Sequence, residues 1–227
     1  MALEVPPGSE DRALDAARDL GLAGANLTTP LKERALGRLE LEPSARAIGA
    51  VNLVLRDGDR WIGANTDAEG FCRSVEARGV EIPGRAAAVI GTGGAARATA
   101  LGLAGRGARA LRVLGRRPEA ARGVALAVEA AFPRVSCTVG PIGTNAIAGA
   151  EIVVVATSGR PSSVAALDPA VLAEGAAWID LNYWDPDPPG FAAAAARGCV
   201  VVDGSGMLAW QAALSFERWT GILPVPD

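Results

Sequence analysis

Histidine is absent from this chain of 227 residues, and lysine occurs once, at position 32. Without an imidazole the chain lacks the usual general base, the base of a serine triad and the commonest zinc ligand. Any proton transfer must therefore use a Lys, Asp, Glu or Tyr side chain. The other basic residues are arginines, which stay protonated, whereas a lysine ammonium can be desolvated until it releases a proton near neutral pH. Lys32 is thus either a candidate proton donor or an ordinary solvated residue in a first helical turn.

The chain also has few cysteines, a small net charge and no long apolar run. Cys72, Cys137 and Cys199 lie far apart without CxxC spacing, which is typical of reduced thiols packed as small apolar residues. A net charge of −3 and a pI near 5.2 provide no basic field for nucleic acid or an anionic membrane. No apolar run approaches the roughly eighteen residues of a membrane span, and "MALEVPPGSE" does not resemble a secretion signal. We therefore expect a cytoplasmic protein that binds neither nucleic acid nor membrane.

The chain, of which 50% is hydrophobic, has two parts with different sequence patterns. From Arg85 onward, β-branched runs such as "AAAVI" and "EIVVVAT" alternate with Ala-rich helical stretches. Continuous apolar strands separated by helices are typical of a parallel sheet covered on both faces. The preceding part predicts a smaller α/β segment with helices at 10–20, 32–39 and 68–78 and strands at 51–56 and 60–63. The last helix, 207–219, has no strand after it, so we expect it to return to the first segment. The predicted domains are 1–80 with 206–227, and 81–205.

The stretch "AAAVIGTGGAARATALGLAG" carries the strongest local signal. Gly91, Gly93 and Ala96 match the G-x-G-x-x-G/A pattern between a predicted strand and a predicted helix. In that pattern the glycines allow a tight turn and close approach of a pyrophosphate to the helix N-terminus. The alternative is a glycine-rich turn that binds no ligand.

The end of the next strand indicates which dinucleotide would bind. An NAD site places an Asp or Glu there for the ribose 2′-hydroxyl, but this chain has "LGRRPEAA". Arg116 and Arg117 offer two guanidiniums to a 2′-phosphate, which favours NADP. Alternatively, the pair is a solvated strand end that bridges to Glu119.

Four polar residues are ambiguous when each is considered alone. Asp67, in "GANTDAEGF", is typical of a helix N-cap, and Asn52, in "AIGAVNLVL", is typical of a turn. Tyr183 ends a predicted strand of the parallel sheet, and open α/β sheets bind ligands at the carboxyl ends of their strands. Gln211 lies among apolar neighbours on the last helix, where its amide needs a partner from the backbone or a ligand.

Taken in order, eight segments between residues 24 and 221 resemble the successive motifs of the shikimate dehydrogenase family. They are "GANLTTPLKE", "AIGAVN", "GANTDAEGF", "VIGTGGAARA", "LGRRPEAA", "VVVATS", "IDLNY" and "DGSGMLAWQAALSFERWTG". The resemblance implies an α/β protein with a Rossmann-like parallel-sheet domain that binds NADP and a smaller, discontinuous α/β domain that binds the substrate. It also implies an oxidoreductase that reduces 3-dehydroshikimate to shikimate in chorismate and aromatic amino-acid biosynthesis, as a monomer or homodimer, without a metal.

The same resemblance assigns roles to individual residues. Lys32, in the Asn-x-Thr-x-Pro-x-Lys motif, and Asp67, in Asn-Thr-Asp, match the catalytic pair of the family. The residues that match its substrate contacts are Thr28, Asn52, Asp67, Tyr183 and Gln211. Those that match its cofactor contacts are Gly91, Thr92, Gly93, Gly94, Ala95, Gly115, Arg116, Arg117, Leu181 and Gly204.

The chain departs from the family pattern at its beginning and at two internal positions. The family opens with a strand whose Ser-x-Ser hydroxyls bind the substrate carboxylate, and this sequence starts after that motif. We therefore expect an exposed sheet edge in the first domain and weakened binding of shikimate, and we keep a non-catalytic NADP-binding homologue as the alternative function. Val155 stands where the family has Asn, and Asn182 stands where it usually has a β-branched residue.

Overall fold

A computed structural model describes residues 2–6, 8–28, 30–159 and 161–226. The chain divides into two compact units, one formed by Met1–Thr66 with Gln211–Asp227 and the other by Asp67–Trp210. The predicted boundaries at residues 80 and 206 both fall inside the second, larger unit. The assignment of substrate binding to residues 1–80 with 206–227, and of NADP binding to residues 81–205, stays a prediction.

The structure contains helices and strands with the following bounds within the described residues. The helices are α1 (Glu10–Asp19), α2 (Leu31–Arg34), α3 (Pro43–Ile48), α4 (Asp67–Glu76), α5 (Gly94–Gly105), α6 (Pro118–Ala131), α7 (Thr144–Ile147), α8 (Ser162–Ala165), α9 (Phe191–Ala196) and α10 (Ser205–Thr220). The strands are β1 (Gly24–Asn26), β2 (Glu40–Leu41), β3 (Leu53–Asp57), β4 (Arg60–Ala64), β5 (Ala86–Ile90), β6 (Ala110–Leu114), β7 (Ser136–Gly140), β8 (Ile152–Val155), β9 (Ala177–Asp180) and β10 (Val200–Asp203). Short 3-10 turns occur at Ala35–Gly37 and Pro169–Val171.

The smaller unit is built on a sheet whose described strands follow the order β1-β3-β4-β2. Strand β3 pairs antiparallel with both β1 and β4, and β2 runs parallel to β4. The predicted strands at 51–56 and 60–63 are confirmed as β3 and β4. The sequence analysis missed β1 and β2, the two edge strands in the described part of the sheet, because they have only three and two residues. The expected exposed edge stays a prediction.

Alternating side chains of β3 separate the two faces of this sheet. Val54 packs with Trp61 and with apolar residues of α1 and α3. Leu53 and Leu55 point to the other face, where Trp219 of α10 packs against them. The Trp219 Nε1–H donates a hydrogen bond to the Val54 carbonyl oxygen at 3.1 Å. The prediction that the last helix returns to the first segment is therefore confirmed.

The larger unit is built on a six-stranded, all-parallel sheet in the order β10-β9-β8-β5-β6-β7. Strands β5, β8 and β9 are buried throughout, which explains their continuous apolar runs. The predicted parallel sheet is confirmed. Strand β7 was missed because it is an edge strand with mostly exposed or partly exposed residues and has no continuous apolar run.

Helices α4 and α5 pack closely within the larger unit. A Cβ atom added to Gly102 of α5 would lie 2.9 Å from the Cys72 Sγ atom of α4, so the interface leaves no room for a side chain there. Arg106, just after α5, donates hydrogen bonds to Glu69 and Glu76 of α4 at 3.0 and 2.8 Å. Burial raises the pKa of the Cys72 thiol to about 12. No helix in the described parts of the chain combines the length and hydropathy needed to cross a membrane.

Candidate active site

The carboxyl edge of the larger sheet gathers the predicted cofactor residues. Because the six strands are parallel, their carboxyl ends share one edge, where open α/β sheets bind ligands. The predicted cofactor residues lie in the segments that follow β5, β6, β9 and β10. They are Gly91, Thr92, Gly93, Gly94, Ala95, Gly115, Arg116, Arg117, Leu181 and Gly204. The fold therefore brings together segments that are widely spaced in the sequence.

The turn after β5 requires glycine at its first position. Gly91 has a φ of 129°, and a Cβ atom there would lie 2.6 Å from the carbonyl oxygen of Ala156. Gly93 is the N-cap of α5 in an extended conformation, and a Cβ atom there would meet nothing within 4 Å. The first N–H groups of a helix have no partner within the helix, so this turn leaves donors and open space for an anion.

The segment after β6 presents two exposed cations. Arg116 and Arg117 lie between β6 and α6, and both side chains are exposed. In the described part of the chain, no ion pair joins either guanidinium to Glu119. Their exposure leaves both guanidiniums accessible from solvent.

The ends of β9 and β10 approach each other at the same edge. A Cβ atom on Gly204 would lie 2.5 Å from the Leu181 carbonyl oxygen, so no larger residue fits there without movement. Asn182 donates two hydrogen bonds to Asp180 Oδ1, from its backbone N–H at 2.9 Å and from Nδ2 at 2.7 Å. Asn182 thus fixes the turn that leads to Tyr183, a residue that is 50% exposed.

A hydrogen-bonded polar cluster lies in the smaller unit, centred on Asn52. Asn52 is 1% exposed, and its Oδ1 atom accepts a hydrogen bond from the Thr66 N–H at 2.8 Å. Its Nδ2 donates to Thr66 Oγ1 at 2.9 Å and to Gln211 Oε1 at 3.2 Å. Two predicted substrate residues, Asn52 and Gln211, are therefore in direct contact.

Two further side chains extend this cluster. Asn26 Nδ2 donates to the Asn52 carbonyl oxygen and to Ser215 Oγ, both at 2.9 Å. Ser215 Oγ in turn donates to the Gln211 carbonyl oxygen at 2.9 Å. The sequence analysis assigned no role to Asn26, Thr66 or Ser215. The spacing of Ser215, four residues after Gln211 on one helix, was the available signal.

The segments that carry Thr28 and Lys32 flank Asn52 through backbone hydrogen bonds. The Leu27 N–H donates to the Asn52 carbonyl oxygen at 2.9 Å, and the Val51 N–H donates to the Lys32 carbonyl oxygen at 2.7 Å. Thr28 is exposed and Lys32 is partly buried. The predicted helix at 32–39 is shorter than expected, because α2 ends at Arg34 and continues as a 3-10 turn.

Asp67 directly follows Thr66 and is the first residue of α4, in the larger unit. The residue is 6% exposed. An acid in the first turn interacts favourably with the helix dipole, so its position alone is compatible with a structural role. Among the residues that the structure describes, no group of three or more Cys, Asp and Glu side chains is placed to hold a metal ion.

The fold and this edge define a protein with a Rossmann-like dinucleotide-binding domain and a second α/β unit. Two family models match the chain: "Shikimate dehydrogenase substrate binding domain" over residues 1–54 and "Shikimate 5'-dehydrogenase C-terminal domain" over residues 204–226. A shikimate dehydrogenase (NADP(+)) of Symbiobacterium thermophilum is 36% identical, over 97% of this chain and 78% of the relative. One of Rhodospirillum rubrum is 39% identical, over 100% and 83%. The chain belongs to the shikimate dehydrogenase family.

Solved structures agree with this assignment. Shikimate 5-dehydrogenase of Thermus thermophilus in complex with NADP(H) and shikimate has a TM-score of 0.83 and 35% identity, over 98% of this chain and 82% of that chain. Quinate dehydrogenase of Corynebacterium glutamicum in complex with NAD has a TM-score of 0.88 and 31% identity, over 99% and 82%. The predicted family and the Rossmann-like α/β fold are confirmed, and the comparisons do not support the non-catalytic alternative.

Proposed function

We propose that this chain is an NADP-dependent shikimate dehydrogenase that interconverts 3-dehydroshikimate and shikimate. The observation that carries the proposal is the carboxyl edge of the parallel sheet, where a glycine turn and two exposed arginines occur in a chain of this family. The cytoplasmic location and the monomeric or dimeric state are parts of the same proposal and rest on the sequence.

The residues at this edge fit a dinucleotide with a 2′-phosphate. The space beside Gly93, where an added Cβ atom would meet nothing within 4 Å, and the N-terminus of α5 suit a pyrophosphate. Arg116 and Arg117 suit the 2′-phosphate because guanidiniums form charge-assisted, bidentate hydrogen bonds with phosphate oxygens. When bound, the reduced cofactor supplies a hydride to the substrate ketone, and the oxidised cofactor accepts it in the reverse direction.

The substrate oxygen needs a proton as the hydride arrives, and Lys32 is our candidate for supplying it. With no histidine in the chain, a lysine ammonium is a cation that can both stabilise the developing alkoxide and release a proton. In this proposal Asp67 orients Lys32 and accepts a hydrogen bond from a ring hydroxyl. Thr28, Asn52, Tyr183 and Gln211 bind the remaining polar groups of the substrate.

The test compares variants of Lys32 in the assay of shikimate oxidation, followed by NADPH absorbance. We expect Lys32→Ala to lower kcat by about 10² to 10⁴ and to leave the Kd for NADP unchanged. Lys32→Arg separates charge from proton transfer, because arginine keeps the charge but does not release a proton. Arg34→Ala, on the same short helix, is the matched control and should retain activity.

Two results would contradict the proposal. Near-normal turnover by Lys32→Arg would remove proton transfer from the role of this residue. A wild-type protein that binds NADP but oxidises neither shikimate nor quinate would contradict the assignment of the reaction.

A further inference from the structure

The first turn of α4 lies close against α5, directly beside Asp67. Helix α4 begins at Asp67, which is buried. A Cβ atom added to Gly102 of α5 would lie 3.0 Å from the carbonyl oxygen of Ala68, the next residue. The two helices can approach this closely because position 102 has no side chain.

A second contact with the same turn comes from Arg106, which directly follows α5. Its NH2 group donates to both carboxylate oxygens of Glu69 at 3.0 Å, and its Nε donates to Glu76 Oε1 at 2.8 Å. Glu69 lies two residues after Asp67, whereas Glu76 is the last residue of α4. One guanidinium therefore reaches both ends of α4, but only its bond to Glu69 lies in the turn that begins with Asp67.

Glu69 accepts hydrogen bonds from a second guanidinium as well. The Arg73 Nε donates to Glu69 Oε1 at 2.8 Å, and the Arg73 guanidinium lies 5.4 Å from the centroid of the Trp210 ring. Burial alone would raise the pKa of Glu69, but the hydrogen bonds and charges of Arg106 and Arg73 lower it. Glu69 is thus an ionised carboxylate at neutral pH, and charge-assisted hydrogen bonds restrain it from two sides.

This arrangement fits a role in positioning better than a role in stability. Partly exposed ion pairs usually contribute little to the free energy of unfolding. A small displacement of a reacting group, in contrast, can change a rate by a large factor. Since Glu69 and Asp67 share one helical turn, a contact that holds Glu69 also limits the movement of Asp67.

We propose that Glu69, held by Arg106 and Arg73, is a positioning residue that keeps Asp67 in place for the reaction. The inference rests on the proposed function, in which Asp67 orients Lys32 and accepts a hydrogen bond from a ring hydroxyl. It adds a side chain to which none of the sequence motifs points.

The test compares Glu69→Gln with Glu76→Gln, because the two carboxylates share the Arg106 guanidinium and have side-chain exposures of 39% and 40%. Each variant is assayed for shikimate oxidation by NADPH absorbance, and its stability is measured by urea denaturation. We expect Glu69→Gln to lower kcat about three- to thirtyfold, since a displacement of about 1 Å can cost about 10²-fold. Glu76→Gln should keep the kcat of the wild type, because its contact lies at the far end of α4 from Asp67.

Two further measurements separate positioning from a general loss of structure. The Kd for NADP should stay constant in both variants, because Arg106 follows the end of α5 opposite to the glycine turn. The double variant Glu69→Gln/Arg106→Gln should lose no more kcat than Glu69→Gln alone, since Arg106 affects the rate only through Glu69.

An unchanged kcat in Glu69→Gln would overturn the inference. Equal losses of kcat in Glu69→Gln and Glu76→Gln would also overturn it, because they would show that the packing of the whole helix matters rather than the contact beside Asp67. If the wild type oxidises neither shikimate nor quinate, the proposed function itself fails. If the wild type is active and Lys32→Ala is impaired while Glu69→Gln is not, only this inference fails.

Discussion

Thr66→Val tests whether the polar cluster of the smaller unit holds the candidate substrate residues in place. The substitution exchanges a hydroxyl for a methyl group at a residue that is 8% exposed. It removes the acceptor for Asn52 Nδ2 at 2.9 Å and the donor to the Gln211 carbonyl oxygen at 3.0 Å. The bond from the Thr66 N–H to Asn52 Oδ1 remains, because it uses the backbone.

The expected cost follows from these two hydrogen bonds. Each contributes about 0.5–1.5 kcal/mol, so the free energy of unfolding should fall by about 1–3 kcal/mol. The upper half of that range is expected because the Asn52 amide is buried and its bond to Gln211 Oε1 is longer, at 3.2 Å. Urea denaturation with an unchanged m-value measures this change directly. Because Asn52 and Gln211 lose a shared anchor, the KM for shikimate should rise about three- to tenfold while the Kd for NADP stays constant.

Thr99→Val is the matched control for this substitution. Thr99 is also buried, but its hydroxyl donates to the Ala96 carbonyl oxygen in its own helix, at 3.0 Å. It should cost about 1 kcal/mol or less and leave the KM for shikimate unchanged. If Thr66→Val is as stable as the wild type and binds shikimate equally well, the cluster does not have the positioning role that we assign to it.

Three further predictions concern the larger unit. The wild type should bind NADP at least about tenfold more tightly than NAD in parallel titrations of the two nucleotides. Replacing Arg116 and Arg117 with Ser should remove that preference, and equal affinities in the wild type would contradict the proposed phosphate site. Gly204→Ala should lower the free energy of unfolding by about 1–3 kcal/mol, because its Cβ atom would lie 2.5 Å from the Leu181 carbonyl oxygen; an unchanged denaturation midpoint would refute the close approach. Because burial raises the pKa of Cys72 to about 12, this thiol should resist alkylation in the native protein at mildly alkaline pH. Peptide mass spectrometry measures the rate of modification, and a rate in the native protein equal to that in urea would contradict this prediction.

Local patterns in the sequence were sufficient for the buried strands of the larger sheet and for the candidate cofactor motifs. Continuous apolar runs predict buried parallel strands because both faces of such strands are covered. The glycine pattern at Gly91 and the Arg pair after β6 are also local, since each lies within one turn between a strand and a helix. A binding motif that is formed by a few neighbouring residues can be recognised directly in the sequence.

Short and exposed strands left no such signal. Strands β1 and β2 are too short for a periodic pattern, and they form only because other strands of the smaller sheet pair with them. Strand β7 lies at a sheet edge, where partial exposure permits polar residues and breaks the apolar run. Their existence depends on tertiary pairing rather than on local composition.

Contacts between distant parts of the chain were decided only by the tertiary structure. Asn52 and Gln211 are 159 residues apart and Asn26 and Ser215 are 189 apart, yet hydrogen bonds join each pair. A side-chain hydrogen bond depends on distance and direction in space, and no spacing along a single sequence encodes those quantities for residues that belong to different elements.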